Sequence, residues 1–267
     1  MDMSALIYSI SARQARYDSD YTAEDGYIHC GKCGGARQQH ITISGVEYKV
    51  PVMCSCEKST METENLRKAS EEKKRITEAR RLLCFGTNGR NAAMTFSVDK
   101  YPDSDYSEFC RRYVSESEYL SSGMLLYGGV GTGKTFYGCS MLNALVDLGI
   151  DCKFFNIGEV VQRLFSGKFD LASLQEPEVL MLDDLGTTRE TDYAAEQIYN
   201  IIDSRYRSGK TVIVTTNLTP SVIKNAVDMQ HRRIYDRLME MCLYRVHIPG
   251  KSQRGLINAE NLPLHGV

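Results

Sequence analysis

The sequence lacks the features that define membrane, secreted and globally basic proteins. It holds no run near the roughly 18 uncharged apolar residues that a membrane-spanning helix needs. Its first twenty residues carry one short apolar patch with no basic residue ahead of it, unlike a secretory signal peptide. The 32 Lys and Arg face 34 Asp and Glu, for a net charge of −2. We therefore expect a cytoplasmic protein without a membrane partner, in which any nucleic-acid binding depends on a local basic patch.

Internal repeats, low-complexity tracts and a disulfide framework are missing as well. The nine cysteines are an odd number, and without an export signal this count indicates a reduced protein rather than a cross-linked one. Five of them are scattered along the chain: Cys84, Cys110, Cys139, Cys152 and Cys242. The other four form two close pairs, which indicate a metal site.

Cys30-x-x-Cys33 and Cys54-x-Cys56 have the spacing of a tetrahedral thiolate zinc site, in which each short pair supplies two ligands from one turn. Four protein ligands leave no open position for catalysis, so the site is expected to be structural, with the metal supplying the folding free energy of a small unit. An iron–sulfur centre and four unligated cysteines are the alternatives. His29 and His40 are expected to be bystanders. Between the pairs, ITISGVEYKVPVM predicts two short strands joined at Ser44 and Gly45.

The organisation expected along the chain has four parts. Residues 1–28 are polar with little periodicity and are expected to be a flexible arm. Residues 29–57 form the cysteine module, and the charge-dense residues 58–88 are expected to be a helical linker that Gly86 and Gly89 terminate. Residues 89–267 form the remaining domain.

In that domain short apolar runs alternate with amphipathic segments. Strands are predicted over 124–127, 152–156, 179–182, 211–216 and 243–248, and helices over 136–148, 159–165 and 192–207. Near-continuous apolar strands separated by helices indicate a parallel sheet covered on both faces. The fold class is α/β, with five parallel strands.

The run GGVGTGKT follows the first of these strands and matches the P-loop spacing G-x-x-x-x-G-K-[ST]. Glycines let successive backbone N–H groups converge on phosphate oxygens, and the next helix presents its positive N-terminus to them. Lys134 is expected to reach the β and γ phosphates of ATP, and Thr135 to ligate Mg²⁺. The candidate nucleotide-binding residues are Gly128, Gly129, Val130, Gly131, Thr132, Gly133, Lys134, Thr135 and Phe136.

Two later strand ends carry polar residues that complete such a site. Val179-Leu180-Met181-Leu182 runs into Asp183, expected to hold Mg²⁺, and Asp184, expected to orient or deprotonate the attacking water. The strand over 211–216 ends before Asn217, which is placed to position that water. The alternative for Asn217 is a turn opener at the end of a strand.

LLYGGVGTGKT, VLMLDDLGT, AAEQIYNIIDSRY, VTTNLT and HRRIYDRLMEMC together resemble the helicase loaders of the DnaC/DnaI type, a branch of the AAA+ ATPases that also includes the IstB transposition helpers. The resemblance covers residues 92–255 and implies an AAA+ core without a C-terminal lid domain. It implies that Arg237 is an arginine finger acting on a neighbouring subunit's nucleotide and that Arg254 contacts phosphate within its own subunit. The residues alone favour the alternative for Arg237, a solvated arginine on a helix. Asp184 stands where many AAA+ proteins carry glutamate, which implies slow hydrolysis.

The same resemblance implies the partners. Such proteins assemble as spirals, with a hexameric DnaB-type replicative helicase, and touch single-stranded DNA through a helical element after the second strand, here residues 159–174 with Arg163 and Lys168. The N-terminal module of the loaders binds the helicase, so the cysteine module favours an ATP-dependent helicase loader in DNA replication. An IstB-like transposition helper that binds duplex DNA and a transposase is the second hypothesis. The third is a zinc-dependent nucleic-acid adaptor whose ATPase is a conformational switch.

Overall fold

The computed structural model describes residues 17, 19–43, 45–116, 119–165, 172–186, 192–225, 229–250 and 252. The chain divides into two compact units between Arg75 and Ile76. In these described residues no helix is long and apolar enough to cross a membrane.

The first unit consists of two small antiparallel hairpins and the first part of a long helix. Strand β1 (Tyr21–Thr22) pairs with β2 (Ile28–His29), and β3 (Gln38–Ile43) pairs with β4 (Val46–Pro51). The second hairpin is the one that the sequence predicts between the two cysteine pairs. The first hairpin corrects the expected arm over residues 1–28, because its described C-terminal part belongs to the folded module. Residues 1–16 of that arm lie outside the described residues.

Helix α1 (Ser55–Phe85) begins at the second cysteine pair and ends before Gly86. The predicted linker over 58–88 is therefore helical as far as Phe85, and the boundary between the two units falls within this helix. Exposed ion pairs at helical spacing decorate it, such as Arg67 with Glu64 and Glu71. Only Cys84 and Phe85, at its C-terminal end, are buried. The charge-dense linker is therefore a solvated helix over most of its length.

The second unit is built on a five-stranded sheet. Its strands are β5 (Met124–Tyr127), β6 (Cys152–Asn156), β7 (Val179–Leu185), β8 (Thr211–Thr216) and β9 (Tyr244–His247). The order across the sheet is β6-β7-β8-β5-β9, and every neighbouring pair is parallel. The predicted five-stranded parallel sheet is thus confirmed. Its helices are α2 (Gly89–Ala92), α3 (Asp105–Ser115), α4 (Lys134–Asp147), α5 (Ile157–Phe165), α6 (Ala172–Gln175), α7 (Asp192–Ser208), α8 (Pro220–Lys224) and α9 (Met229–Met241).

Both faces of this sheet are covered, because successive strand residues point to opposite sides. Met124, Leu126, Met181 and Ile213 pack in one buried cluster with residues of α3 and α4. Leu125, Leu180, Leu182 and Val214 pack in a second cluster with residues of α5, α7 and α9. The predicted strand bounds agree within three residues at each end, and the largest difference lies at the C-terminal end of β7.

Arg205 of α7 is fully buried and holds the amino-terminal ends of two strands together. Its guanidinium donates to the carbonyl oxygens of Pro177 (2.6 Å), Glu178 (2.9 Å) and Thr211 (2.6 Å). Burial lowers the pKa of Arg205 to about 10, so it remains charged at neutral pH. The carboxyl ends of the same strands, at the opposite edge, carry the candidate nucleotide site.

Candidate nucleotide and metal sites

The P-loop connects β5 to α4. Its tip residue Val130 is exposed, whereas Thr132 is buried and donates its hydroxyl to the Gly129 carbonyl at 3.1 Å. Helix α4 begins at Lys134 with no side-chain cap at Gly133. The first N–H groups of a helix have no intrahelical acceptor, so this end offers donors and a positive dipole to an anion. Phe136 is half-buried and packs edge-on against Tyr137.

Lys134 is buried at the centre of this loop. Its Nζ donates to the carbonyl oxygens of Gly128 (3.0 Å) and Gly129 (2.7 Å) and to Oδ1 of Asn217 (2.7 Å). The structure therefore brings the predicted P-loop lysine into direct contact with the predicted polar residue that follows β8. These neutral acceptors hold the ammonium at the mouth of the loop without cancelling its charge.

Asp183, at the carboxyl end of β7, is 4% exposed and faces the start of α4. Its Oδ1 accepts hydrogen bonds from the hydroxyls of Thr135 (2.9 Å) and Thr215 (2.7 Å). Burial raises the pKa of Asp183 above its usual range, and the two hydroxyls only partly oppose that shift. A buried carboxylate beside a threonine hydroxyl is a hard oxygen donor set of the kind that Mg²⁺ prefers. The donors present therefore fit the magnesium that ATP chemistry requires.

Asp184 has a backbone φ of +60°, in the left-handed region that non-glycine residues seldom occupy. The register between β7 and β8 shifts at this point, between Leu182 and Leu185. The Asp184 N–H donates to the Thr215 hydroxyl at 2.9 Å, which anchors the irregular turn. Strained backbone of this kind concentrates at functional sites, and the separate roles predicted for the paired aspartates stay a prediction.

Arg237 lies on α9, away from the P-loop contacts described above. Its guanidinium stacks over the Tyr206 ring at 4.2 Å and pairs with Glu240 (3.2 Å) and Asp203 (3.6 Å). Among the described residues the structure does not join Arg237 to Lys134 or Asp183 within this chain. Its expected action on a neighbouring subunit stays a prediction.

Arg254 lies outside the described residues, but Ser252, two positions before it, contacts the P-loop. A Cβ on Gly131, whose φ is +78°, would lie 2.2 Å from the Ser252 hydroxyl oxygen. Only glycine permits this approach. The chain two residues before Arg254 is thus in contact with the phosphate-binding loop.

Sequence reasoning missed two side chains that organise the site. Thr215 bridges Asp183 and the Asp184 backbone, although its strand reads as a buried apolar run. Asn156, at the end of β6, is level with Asp183 in the sheet and its side chain lowers the Asp183 pKa. It also accepts the Glu159 N–H at the start of α5 at 3.3 Å. The sequence did contain a signal for Asn156, because it is a polar residue at the end of β6, the strand beside the one that carries Asp183.

The element expected to touch single-stranded DNA is only partly described. It contains α5 and α6, and Arg163 is exposed on α5. Lys168 lies outside the described residues. The contacts of this element with DNA stay a prediction.

The four predicted metal ligands of the first unit form one cluster. The sulfur atoms of Cys30, Cys33, Cys54 and Cys56 all lie within 4.8 Å of one another. Cys56 Sγ lies 3.5 Å from Cys30 Sγ and 3.3 Å from Cys54 Sγ. Zinc–sulfur bonds of about 2.3 Å in a tetrahedron place the sulfurs about 3.8 Å apart, so the cluster is close to the size that zinc needs.

The pKa values of these thiols are also consistent with binding of a cation. Hydrogen bonds from the backbone N–H groups of Cys33 and Lys32 lower the pKa of Cys30. A hydrogen bond from the Ser55 hydroxyl is the largest cause that lowers the pKa of Cys33, to about 5. The neighbouring sulfurs of Cys56, Cys54 first, raise the pKa of Cys56 to about 12. Four thiolates in one cluster repel each other, and a divalent cation relieves that repulsion.

Both nearby histidines are engaged elsewhere. The His29 ring nitrogens contact the Gly34 carbonyl and an Asp25 carboxylate oxygen, each at 2.9 Å. His40 pairs with Glu47 at 3.5 Å. The structure thus places both outside the sulfur cluster, as the bystander role requires.

The sheet order, the P-loop at the end of strand β5 and the paired aspartates on β7 together define a P-loop ATPase of the AAA+ type. A model of the IstB-like ATP binding protein family matches residues 113–258. The chain belongs to this family, whose members bind ATP. The cysteine cluster lies outside the matched residues.

Three similar proteins show the range of contexts. A protein in an insertion sequence of Mycobacterium tuberculosis, named as ATP-binding, is 29% identical over 41% of this chain and 47% of its own length. The chain thus spans about half of that relative. The phage-like element PBSX protein XkdC of Bacillus subtilis is 28% identical over 83% of this chain and 82% of its own. The crystal structure of the DnaC helicase loader superposes with a TM-score of 0.51 and 26% identity, covering 60% of this chain and 99% of that chain.

Proposed function

We propose that this protein is an ATP-dependent loader that binds a DnaB-type replicative helicase through its cysteine module and places it on single-stranded DNA. One observation carries the proposal. The ATPase fold covers 99% of the DnaC helicase loader, and the chain adds a separate four-cysteine unit outside the family match. A second folded unit with a structural metal and no catalytic opening is suited to recognition of a partner.

The nucleotide roles follow from the geometry of the site. The N–H groups of residues 128–136 and the N-terminus of α4 bind the phosphates, and Lys134 moves its ammonium from loop carbonyls to phosphate oxygens. Thr135 and Asp183 hold Mg²⁺, which when bound supplies positive charge to the phosphate oxygens. Asp184 and Asn217 orient the attacking water. The short carboxylate of Asp184 makes hydrolysis slow, so ATP acts as a timing device for assembly.

Arg237 and Arg254 complete the site from outside the loop. Arg237 acts as an arginine finger on the nucleotide of the next subunit, which requires a spiral homo-oligomer. The ion pairs of Arg237 with Asp203 and Glu240 keep its guanidinium near the surface of α9 in the single chain. Arg254 contacts phosphate in its own subunit, and the close passage of Ser252 over Gly131 supports that placement.

The test is co-purification with the cognate DnaB-type helicase. Wild-type chain is expected to form the complex, and Cys54→Ser to lose it while still binding ATP. Lys134→Ala is the matched variant in the other unit. It is expected to lose ATP binding, to retain its zinc and to bind helicase without loading it.

Absence of a helicase complex, with and without ATP, contradicts the loader. If Lys134→Ala abolished ATP binding and left biological activity intact, the nucleic-acid adaptor with a non-essential ATPase would replace it. Hydrolysis by wild type and Arg237→Ala mixtures tests the finger: activity should fall with the variant fraction, as expected for a residue that serves the neighbouring site.

A transposition helper is the second candidate, because the family is IstB-like and one relative lies in an insertion sequence. Such a helper should bind duplex DNA and a transposase in an ATP-dependent way. Retention of a transposase from the same genetic element, without retention of the helicase, would reverse the ranking. The cysteine module favours the loader because it lies outside the IstB-like match.

A further inference from the structure

Arg37 is a buried cation beside the sulfur cluster. Its residue is 7% exposed, and its NH2 group lies 4.0 Å from Cys30 Sγ, in hydrogen-bonding contact for a sulfur acceptor. Its backbone is fixed on both sides, since its N–H donates to the Ile28 carbonyl at 2.8 Å and its carbonyl accepts from Val52 at 2.7 Å. The guanidinium therefore has a defined position relative to the metal ligands.

Three further groups surround the same guanidinium. Its Nε pairs with the buried carboxylate of Asp20 at 3.2 Å, and its NH1 with Glu57 at 3.1 Å. The Tyr17 ring lies against it, with 4.5 Å from the guanidinium carbon to the ring centroid. Tyr17 and Asp20 precede β1, whereas Glu57 lies in the first turn of α1. Arg37 thus joins two segments that are distant in sequence.

The charges of the metal cluster indicate why a buried cation lies beside it. Four thiolates around one Zn²⁺ leave two negative charges in excess, and a buried excess charge needs a partner. Hydrogen bonds to ligand atoms from the surrounding protein orient the ligands and tune the affinity for the metal. A planar guanidinium can serve the sulfur and two carboxylates at once, which a lysine ammonium cannot do with the same geometry.

The segment that carries Tyr17 also touches the metal-binding turn directly. A Cβ on Gly31, between the first two cysteines, would lie 1.9 Å from the Ser19 carbonyl oxygen. The turn is therefore packed against this segment through backbone. The guanidinium contacts Tyr17 and Asp20, and Gly31 packs against Ser19, so these three residues lie beside the metal-binding turn.

We propose that Arg37 is a positioning residue that couples metal binding by the cysteine cluster to the placement of Tyr17, Ser19 and Asp20 and of the start of α1. This inference rests on the metal-binding role proposed for the module. Zinc then determines the surface that the module presents around Tyr17, in addition to stabilising its fold. The residue stands in ARQQH, where the sequence offers no sign that its guanidinium is buried.

The experiment uses the full chain with zinc as the probe. The rate of zinc transfer to a chromogenic chelator is measured for wild type, Arg37→Met and Arg37→Lys. Both variants are expected to release zinc about tenfold faster or more, with Arg37→Met the faster. Arg67→Met removes an exposed arginine of the same unit that pairs with Glu64 and Glu71, and it should release zinc at the wild-type rate.

A second readout reports on the segment itself. The chain contains no tryptophan, so Tyr17→Trp introduces a single tryptophan at the guanidinium, whose emission can be followed apart from that of the tyrosines. Its emission is expected to change when zinc is removed, and Tyr17→Trp with Arg37→Lys should show the zinc-free emission even with zinc bound. A merely structural arginine would not produce this second result.

The outcomes separate the two proposals. Wild-type chain that purifies without zinc and does not take it up overturns both the metal site and the role of Arg37. Wild-type zinc binding with unchanged release in both Arg37 variants overturns only the role of Arg37. Tryptophan emission that does not respond to zinc in the wild-type background overturns the coupling to residues 17–20.

Discussion

The two units of this protein have interiors of different kinds. In the described part of the first unit, Cys30 and Cys54 are the buried apolar residues, and Asp20 and Arg37 are buried beside them. The second unit buries two large clusters, one on each face of its sheet. Burial of apolar side chains stabilises a domain of this size by itself, whereas a unit with so small an interior needs a metal. With the metal binding proposed for the cysteine module, one sequence would use two sources of folding free energy.

Zinc removal is expected to produce the largest difference in stability between the two units. Chelation, or Cys54→Ser, is expected to unfold the first unit completely, because metal binding supplies its folding free energy. The second unit should retain its cooperative thermal transition and its ATP binding. Calorimetry and hydrogen exchange, read separately for the residues on each side of Arg75, check this. Loss of protection in both units on chelation would contradict it.

Truncation of a side chain in the hydrophobic core should destabilise the second unit and leave the first unit unchanged. Ile198→Ala removes a fully buried side chain of α7 and is expected to destabilise the second unit by about 2–5 kcal/mol. Its zinc content and release rate should match wild type. Val222→Ala, at an exposed position of α8, is the control, with an expected change of about 0.5 kcal/mol or less. Urea unfolding gives the free energies.

The second unit also contains a buried charged side chain, Asp99, which can be compared with Arg37 of the first unit. Asp99 accepts hydrogen bonds from the hydroxyl of Tyr137 at 2.9 Å, from the Tyr101 N–H and from the Ser107 hydroxyl. Although burial opposes ionisation, these donors and Arg111 lower the pKa of Asp99. Asp99→Asn is expected to cost about 1.5–3 kcal/mol at pH 7 by urea unfolding.

The sign of the pH dependence follows from the lowered pKa. The stabilisation by ionised Asp99 is present above the usual carboxyl pKa near 3.8 and is lost as pH falls through the lower folded pKa. The difference between wild type and Asp99→Asn should therefore shrink below about pH 4. A difference that grew on acidification would contradict the assignment.

The smallest effect is expected at the exposed ion pairs of α1. Arg67 bridges Glu64 and Glu71 on a solvated helix, and such pairs contribute little to stability. Arg67→Ala should leave zinc release and the thermal transitions of both units unchanged within error. A clear loss of zinc would show that α1 contributes to the module beyond Glu57.

Much of the second unit was predictable because its signals are local. Apolar runs bounded by glycine and aspartate located all five strands, and the P-loop spacing identified the loop before α4. Thr215 and Asn156 escaped because their importance depends on which strands are neighbours. The first hairpin escaped because strands of two residues carry no periodicity, and its pairing depends on contacts with the cysteine turn.

By itself the sequence determined the α/β fold, the P-loop, the paired aspartates and the four clustered cysteines, because each is written in residues close together along the chain. Only the tertiary structure decided that Lys134 contacts Asn217, that Thr215 bridges the two aspartates and that Arg37 is buried between Cys30, Asp20 and Glu57. These contacts join residues from 7 to 83 positions apart, where hydrophobic pattern and motif spacing carry no information. The partners of a buried polar group are set by the packing of whole elements.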